Sequence, residues 1–243
     1  SDLKKAALKN PQGSSQDWFE KIAIHDIQRA SDSLMKVYNS SNQSDGYVSL
    51  EVSPLLAKDT DRTIEEARRL WHSVNRPNLM IKIPATEEGF PAIEKLLSES
   101  ININVTLIFS LEQYEKTAHS YLRGISNLTQ MKHVSSVASF FVSRIDTKVD
   151  KVLENINTPQ SNELKGKAAI ANANQAYRLF NNIFETSEFQ ILKKKGARPQ
   201  RLLWGSTSTK NNNYPDTLYV DQLIGRDTIN TIPPITAEAF KDH

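Results

Sequence analysis

Ile101-Asn102-Ile103-Asn104-Val105-Thr106-Leu107 alternates strictly between apolar and polar residues, and its reading decides the fold. Successive side chains of a strand point to opposite faces, so Asn102, Asn104 and Thr106 share one face and Ile101, Ile103, Val105 and Leu107 the other. Two earlier stretches repeat the pattern. In Tyr47-Val48-Ser49-Leu50-Glu51-Val52, Ser49 and Glu51 oppose Val48, Leu50 and Val52. In Leu79-Met80-Ile81-Lys82-Ile83-Pro84 a lysine stands inside an apolar run. Residues 60–74 and 90–99, which separate these stretches, have helical spacing. Strands alternating with helices argue for a parallel sheet with helices packed outside it. Such strands are normally buried on both faces and read as continuous apolar runs. A polar face without solvent is what a barrel interior offers when it carries a site. An antiparallel sheet with one solvated face is the competing explanation.

The alternation of element types extends in both directions. Residues 17–38 carry an apolar stripe of Trp18, Ile22, Ile24 or His25, Ile27, Leu34 and Val37, which predicts a helix. Ser44-Asp45-Gly46 is a turn signal before the first strand. Thr63 is a candidate cap for the 60–74 helix, with Glu66 completing a capping box. Beyond the 101–109 strand come a helix at 111–123, a strand at 134–142, helices at 145–155 and 165–195, and strands at 200–204 and 229–232. The count is six strands. That predicts one domain over residues 1–243, a TIM-type (β/α)8 barrel with about six of its eight strands present. The chain opens on Ser1, not Met, and ends at His243 directly after a helix opening, Thr236-Ala237-Glu238-Ala239-Phe240, so both ends read as cut.

Composition narrows the chemistry. With 38% hydrophobic and 24% charged residues the chain is ordinary for a globular protein. A net charge of +2 gives no basic stripe for nucleic acid. The Lys193-Lys194-Lys195 run reads as a helix C-terminus, where the dipole favours cations. Absence of cysteine excludes disulfides, thiolate nucleophiles and Cys-ligated metals. No apolar run approaches the ~18–20 residues needed to cross a bilayer, and no signal-peptide pattern opens the chain. The expectation is a soluble cytoplasmic protein. The five histidines are scattered without ligand spacing, so no metal is expected. Glycine-rich nucleotide loops are absent.

Lys82 is the sharpest residue. Withdrawing a lysine from water favours its neutral amine, the form that attacks a carbonyl. Taken alone, such a lysine is more often a structural ion-pair partner or a snorkelling side chain. Glu51 and Thr106, on the strands before and after it, lie toward the C-terminal ends where barrel sites form. A carboxylate there can hold a water that carries protons, or can simply pair with Lys82. Trp204-Gly205-Ser206-Thr207-Ser208-Thr209-Lys210 comes after a strand and offers hydroxyls, backbone N–H groups and a cation suited to a phosphate, or is only a turn.

Several of these stretches together resemble the transaldolase family. Gly46-Tyr47-Val48-Ser49-Leu50-Glu51-Val52-Ser53-Pro54, Ile81-Lys82-Ile83-Pro84-Ala85-Thr86 and the run from Ile101 to Ser110 are similar to three consecutive strands of that family. Ala138-Ser139-Phe140-Phe141-Val142-Ser143-Arg144, Thr207-Ser208-Thr209-Lys210-Asn211 and Asp227-Thr228-Ile229-Asn230-Thr231-Ile232-Pro233 are similar to its later strands, in the variant with lysine near the phosphate. The matches keep the family's order over nearly the whole chain. The resemblance implies that Lys82 forms a Schiff base while Glu51 and Thr106 position a proton-shuttling water. Asn104 would bond substrate hydroxyls, and Arg144 with Ser139 would bind the sugar phosphate. Lys210, beside Ser206, would replace a second phosphate arginine, as a point charge in place of a bidentate fork.

Two departures stand out. The family's opening strand with a catalytic aspartate, and a second strand with a Thr-Ser-Asn-Pro-like turn, have no counterpart before Tyr47. The opening segment to Asp17 looks like the family's segment just after that second strand, and the helix after the last strand looks cut. The implied activity is transfer of a dihydroxyacetone unit from sedoheptulose 7-phosphate to glyceraldehyde 3-phosphate, giving erythrose 4-phosphate and fructose 6-phosphate. It needs no cofactor, takes sugar phosphates as partners, involves neither nucleic acid nor membrane, and suits a monomer or homodimer. A lysine-dependent aldolase, and a non-catalytic sugar-phosphate-binding remnant or inactive fragment of the same barrel, are the alternatives.

Overall fold

The computed structural model describes residues 13–126 and 128–243. Most of the segment before Asp17 that the resemblance places after a second strand lies outside the described residues. Strands and helices alternate as the spacing predicts. Helix α1 (Ser15–Ser40) precedes β1 (Val48–Glu51), α2 (Thr60–Val74), β2 (Leu79–Pro84) and α3 (Gly89–Ser98). Then come β3 (Ile103–Ile108), α4 (Leu111–Ser126), β4 (Ser136–Phe141), α5 (Ser143–Ile156) and the short α6 (Pro159–Glu163). Helices α7 (Ala168–Phe184) and α8 (Ser187–Lys194) lead to β5 (Arg201–Gly205), α9 (Leu218–Gln222), β6 (Thr228–Asn230) and α10 (Pro234–Asp242).

All pairings are parallel, in the order β1-β2-β3-β4-β5-β6, which removes the antiparallel alternative. This is the α/β architecture of the TIM-barrel type. One strand face packs outward on the helices: Ile81, Ile83, Ile103, Val105, Phe140 and Leu202 are each wholly buried there. The other face builds a separate apolar layer from Met80, Val137 and Leu203, joined by Tyr47 and Ile229. A flat sheet could not bring side chains of β2, β4, β5 and β6 together with Tyr47 from the start of β1, so the sheet curls around this layer. Cross-links near the strand N-termini hold the curl. The Tyr47 hydroxyl reaches Ser135 Oγ at 2.6 Å, and the Arg201 guanidinium meets the Ser44 carbonyl and, at 3.1 Å, Asp45 Oδ1.

Local chemistry corrects several expectations. The 60–74 helix is capped by Asp59, whose side chain accepts from the Arg62 N–H. Thr63 is instead buried, its hydroxyl donating to the Leu56 carbonyl, and Glu66 pairs with Arg69. The helix expected over 165–195 is two. Thr186 interrupts it and caps α8 by accepting from the Phe189 N–H, a strong N-cap residue overriding continuous periodicity. Lys193 and Lys194 do fall in the last turn of α8. The strict alternation in β3 ends at a bulge between Val105 and Ile108: Leu107 has φ +60° and is 37% exposed, so it leaves the face that alternation predicts for it. After β6 the helix α10 is present over nine residues.

Helices α3 and α4 meet at Gly124, where an added Cβ would lie 2.8 Å from the Glu94 carbonyl oxygen and 2.8 Å from Leu97 Cβ. Helix propensity alone makes Gly124→Ala stabilising by about 1 kcal/mol. Overpacking here costs roughly 1–3 kcal/mol, so urea denaturation is expected to show a net loss. A higher midpoint would mean that the two helices separate freely.

Candidate active site

Strand register builds the site. Glu51 lies opposite Lys82, Lys82 opposite Asn104, and Pro84 opposite Thr106. The interior face of these strands, with those of β4, β5 and β6, surrounds a cavity of about 480 Å³ lined by Ser49, Lys82, Asn104, Thr106, Ser139 and Ser206 among others. The Lys82 ammonium is 3.3 Å from Glu51 Oε2, at side-chain exposures of 27% and 44%. The ion pair and the catalytic reading of Lys82 thus share one contact. Lys82 also lines the cavity, beside Ser49, Asn104, Thr106 and Ser139.

On the same interior face a hydrogen-bonded belt joins three strands, its members in register with the apolar residues Met80, Val137 and Leu203. The Asn104 amide donates to Ser49 Oγ at 3.0 Å, and the Ser139 hydroxyl donates to Asn104 Oδ1 at 2.6 Å. Asn104 has a second N–H and a second lone pair to offer a ligand. Ser139 directs its proton to Asn104, which leaves none for the phosphate it was expected to bind with Arg144. Thr106 is 1% exposed, and its hydroxyl has no hydrogen-bond partner among the described residues. A buried hydroxyl without a partner costs about 1–3 kcal/mol, so its presence in a cavity wall favours a role toward what enters.

The expected phosphate residues are not all gathered here. Ser206 lines the cavity with φ +57°, its Oγ 3.0 Å from that of Ser143 and its carbonyl accepting the Ser143 N–H. Arg144 is exposed in the first turn of α5, its guanidinium 5.0 Å above the Phe141 ring, a cation–π contact at a ring that itself lines the cavity. Lys210 lies outside. It donates to Ser208 Oγ at 2.7 Å and borders a second cavity of about 460 Å³ beside α5. Phe141 and Arg201, both lining the main cavity, are not among the site residues that the sequence predicts. The alternation Val137, Ser139, Phe141 in β4 carries the signal for Phe141. Nothing in the sequence marks Arg201, which opens a short apolar strand.

A larger crevice of about 840 Å³ lies on the outside between α3 and α4. Its cations are paired, Lys116 with Glu87 at 2.7 Å and Arg123 with Glu94 at 2.6 Å, and no strand residue reaches it. Among the described residues no three His, Asp or Glu side chains converge as metal ligands, and no helix is long and apolar enough to cross a membrane.

Comparison with known proteins supplies the family. The model of the transaldolase/fructose-6-phosphate aldolase family matches residues 1–243. A transaldolase of Parafrankia sp. (strain EAN1pec) is 51% identical over 226 residues, covering 91% of this chain and 61% of the relative. One of Thermobifida fusca (strain YX) is 50% identical over the same shares. The transaldolase 2 of Nostoc sp. (strain PCC 7120) is 48% identical over 93% of this chain and 62% of its own length. The chain thus spans about three fifths of the length of the curated relatives it matches. With a parallel sheet curled around a cavity that Lys82 lines and a match along its whole length, the chain belongs to the transaldolase/fructose-6-phosphate aldolase family.

Proposed function

We propose that the protein is a transaldolase that carries a dihydroxyacetone unit on Lys82. The observation that supports this most is Lys82 itself, 3.3 Å from Glu51 and on one cavity wall with Asn104 and the unpartnered Thr106 hydroxyl. Glu51 is placed to take a proton from the Lys82 ammonium, freeing the amine to attack C2 of fructose 6-phosphate or sedoheptulose 7-phosphate. Water leaves the carbinolamine, with Glu51 and Thr106 holding the water that moves protons. The protonated imine then draws the electrons of the C3–C4 bond as the 4-hydroxyl passes its proton to the water held by Glu51 and Thr106. An aldose phosphate departs, and a three-carbon enamine remains on Lys82 to add to a second aldose phosphate. Asn104, oriented by Ser49 and Ser139, bonds the hydroxyls of the retained unit. Arg144 and Lys210 take the phosphate. The setting in this reading is the pentose phosphate pathway of the cytoplasm.

Two other outcomes are tested alongside this one. The family description pairs transaldolase with fructose-6-phosphate aldolase, which would release free dihydroxyacetone. A binding role without turnover is the second alternative, and the adduct test below decides it.

Borohydride reduction in the presence of fructose 6-phosphate, then peptide mapping, tests the proposal. The expected result is a three-carbon or six-carbon adduct on Lys82 that Lys82→Ala abolishes. A folded chain without any adduct would sink the Schiff-base role and leave binding alone. Turnover of fructose 6-phosphate with erythrose 4-phosphate as acceptor separates the two activities. Sedoheptulose 7-phosphate marks transfer, and free dihydroxyacetone marks an aldolase.

Thr106→Val separates chemistry from folding at one site. Replacing a buried hydroxyl without a partner by a methyl removes its desolvation cost, so urea denaturation is expected to show stability unchanged or raised, by up to about 1–3 kcal/mol. The rate of adduct formation should nevertheless fall roughly 100-fold, the usual order for a lost proton-transfer group. An unchanged rate would remove Thr106 from the mechanism.

A further inference from the structure

The chemistry just proposed leaves one buried cluster unused. Asp146 and Asp150 stand one turn apart on the same face of α5, at 1% and 7% exposure. Each divides its two oxygens between two partners. Asp146 accepts the Ala169 N–H at 2.7 Å and the Tyr219 hydroxyl at 2.8 Å. Asp150 accepts the Gly166 N–H at 3.1 Å and the Tyr214 hydroxyl at 2.6 Å. The main-chain donors belong to the stretch where the α6–α7 connection enters α7. The tyrosines belong to the segment that leaves β5.

Burying two carboxylates this close is unfavourable unless each is fully bonded. Burial pushes the Asp146 carboxyl up, opposed by the Ala169 N–H and the Tyr219 hydroxyl. The seat for Tyr214 is shaped as well. Gly166 has φ +72°, and a Cβ there would lie 3.0 Å from the tyrosine ring. The sequence places these groups far apart, so the cluster is assembled by the fold.

Its position gives it a task. Residues 206–214 run along α5 and are fastened at both ends. Ser206 binds Ser143 at the start of the helix, and Tyr214 binds Asp150 two turns on. Lys210 is midway in sequence between these anchors and borders one cavity with Asp146 and Thr147, and Arg144 is in the first turn of the same helix. The loop of one cation is therefore locked to the helix of the other. We propose that Asp146 and Asp150, through Tyr219 and Tyr214, are positioning residues for the phosphate end of the substrate, holding the Lys210 loop against the helix that carries Arg144. This rests on the reading of Arg144 and Lys210 as phosphate ligands.

Calorimetric titration of the full chain with inorganic phosphate and with fructose 6-phosphate tests both layers. Tyr214→Phe keeps the ring over Gly166 and deletes one hydroxyl. It is expected to weaken phosphate and fructose 6-phosphate about fivefold, the equivalent of one net hydrogen bond. Binding of unphosphorylated fructose should not change, and Lys210→Gln/Tyr214→Phe should be no weaker than Lys210→Gln alone. If Lys210→Gln weakens phosphate and Tyr214→Phe does not, the cluster is structural only and the proposal fails. Equal weakening of fructose and fructose 6-phosphate by Tyr214→Phe also overturns it. If neither Lys210→Gln nor Arg144→Gln affects phosphate, the ligand reading itself is wrong and the proposal falls with it. Hydrogen exchange on the unaltered protein needs no variant to fold. Added phosphate is expected to slow exchange at the Gly166 and Ala169 amides, and unchanged rates there, with slowing at residues 143–144 alone, overturn the proposal.

Discussion

In-register parallel pairing of β1, β2 and β3 is the constraint on which the rest of the structure depends. It sets Glu51, Lys82 and Asn104 side by side at one height of the sheet. The register is enforced from the opposite face, where Ile81, Ile83, Ile103 and Val105 are wholly buried against the helices. Slipping β2 by one residue would turn Lys82 into that apolar layer and Ile81 and Ile83 into the cavity. Burying such side chains stabilises by about 1.5–3 kcal/mol each, whereas an ammonium there is costly. The outer core therefore holds the site's geometry, and the inner face is free to be polar.

That freedom is used in several ways. Met80, Val137 and Leu203, with Tyr47 and Ile229, fill the interior with apolar contact. On the same face runs the belt Ser49–Asn104–Ser139, whose members bond one another across three strands. Lys82, in register with Asn104, lines the cavity beside that belt, and Glu51 pairs with it from β1. Each group supports the others. The apolar one allows the sheet to curl, and the belt fixes the Asn104 amide.

Alternation makes the strands legible, because a period of two with polar residues on one face is improbable in a parallel sheet without an interior site. It marks Ser49, Glu51, Lys82, Asn104 and Thr106 together, and all five lie on the interior face or pair with a residue there, whereas Ser139 is marked by the family resemblance. It cannot show the bulge at Leu107, which depends on how β3 fits β4. Asp59 outcompetes Thr63 as a cap because Thr63 finds a carbonyl partner, Leu56, outside its own helix. Lys210 is marked by motif alone, and its loop runs along α5 because two tyrosines bind carboxylates over sixty residues distant in sequence. Nothing local to Asp146 and Asp150 announces partners that far away. Periodicity reports which face a residue takes, and long-range hydrogen bonding decides what it does there.

The stretch from Asn102 to Thr106 displays that division within one strand. Asn102, lowest on the polar face, gives its amide N–H groups to the carbonyls of Pro77 and Leu79 and accepts from the Ser135 N–H. It is wholly occupied with joining strands. Asn104, two residues on, bonds only side chains and keeps part of its capacity free. Thr106, two further on, bonds none of the described residues through its hydroxyl. Satisfaction by the protein declines step by step toward the C-terminal end, and availability to a ligand rises in the same order. A parallel barrel concentrates chemistry at that end for this reason: the N-terminal polar groups are consumed in joining the strands, and those beyond them are left for the substrate.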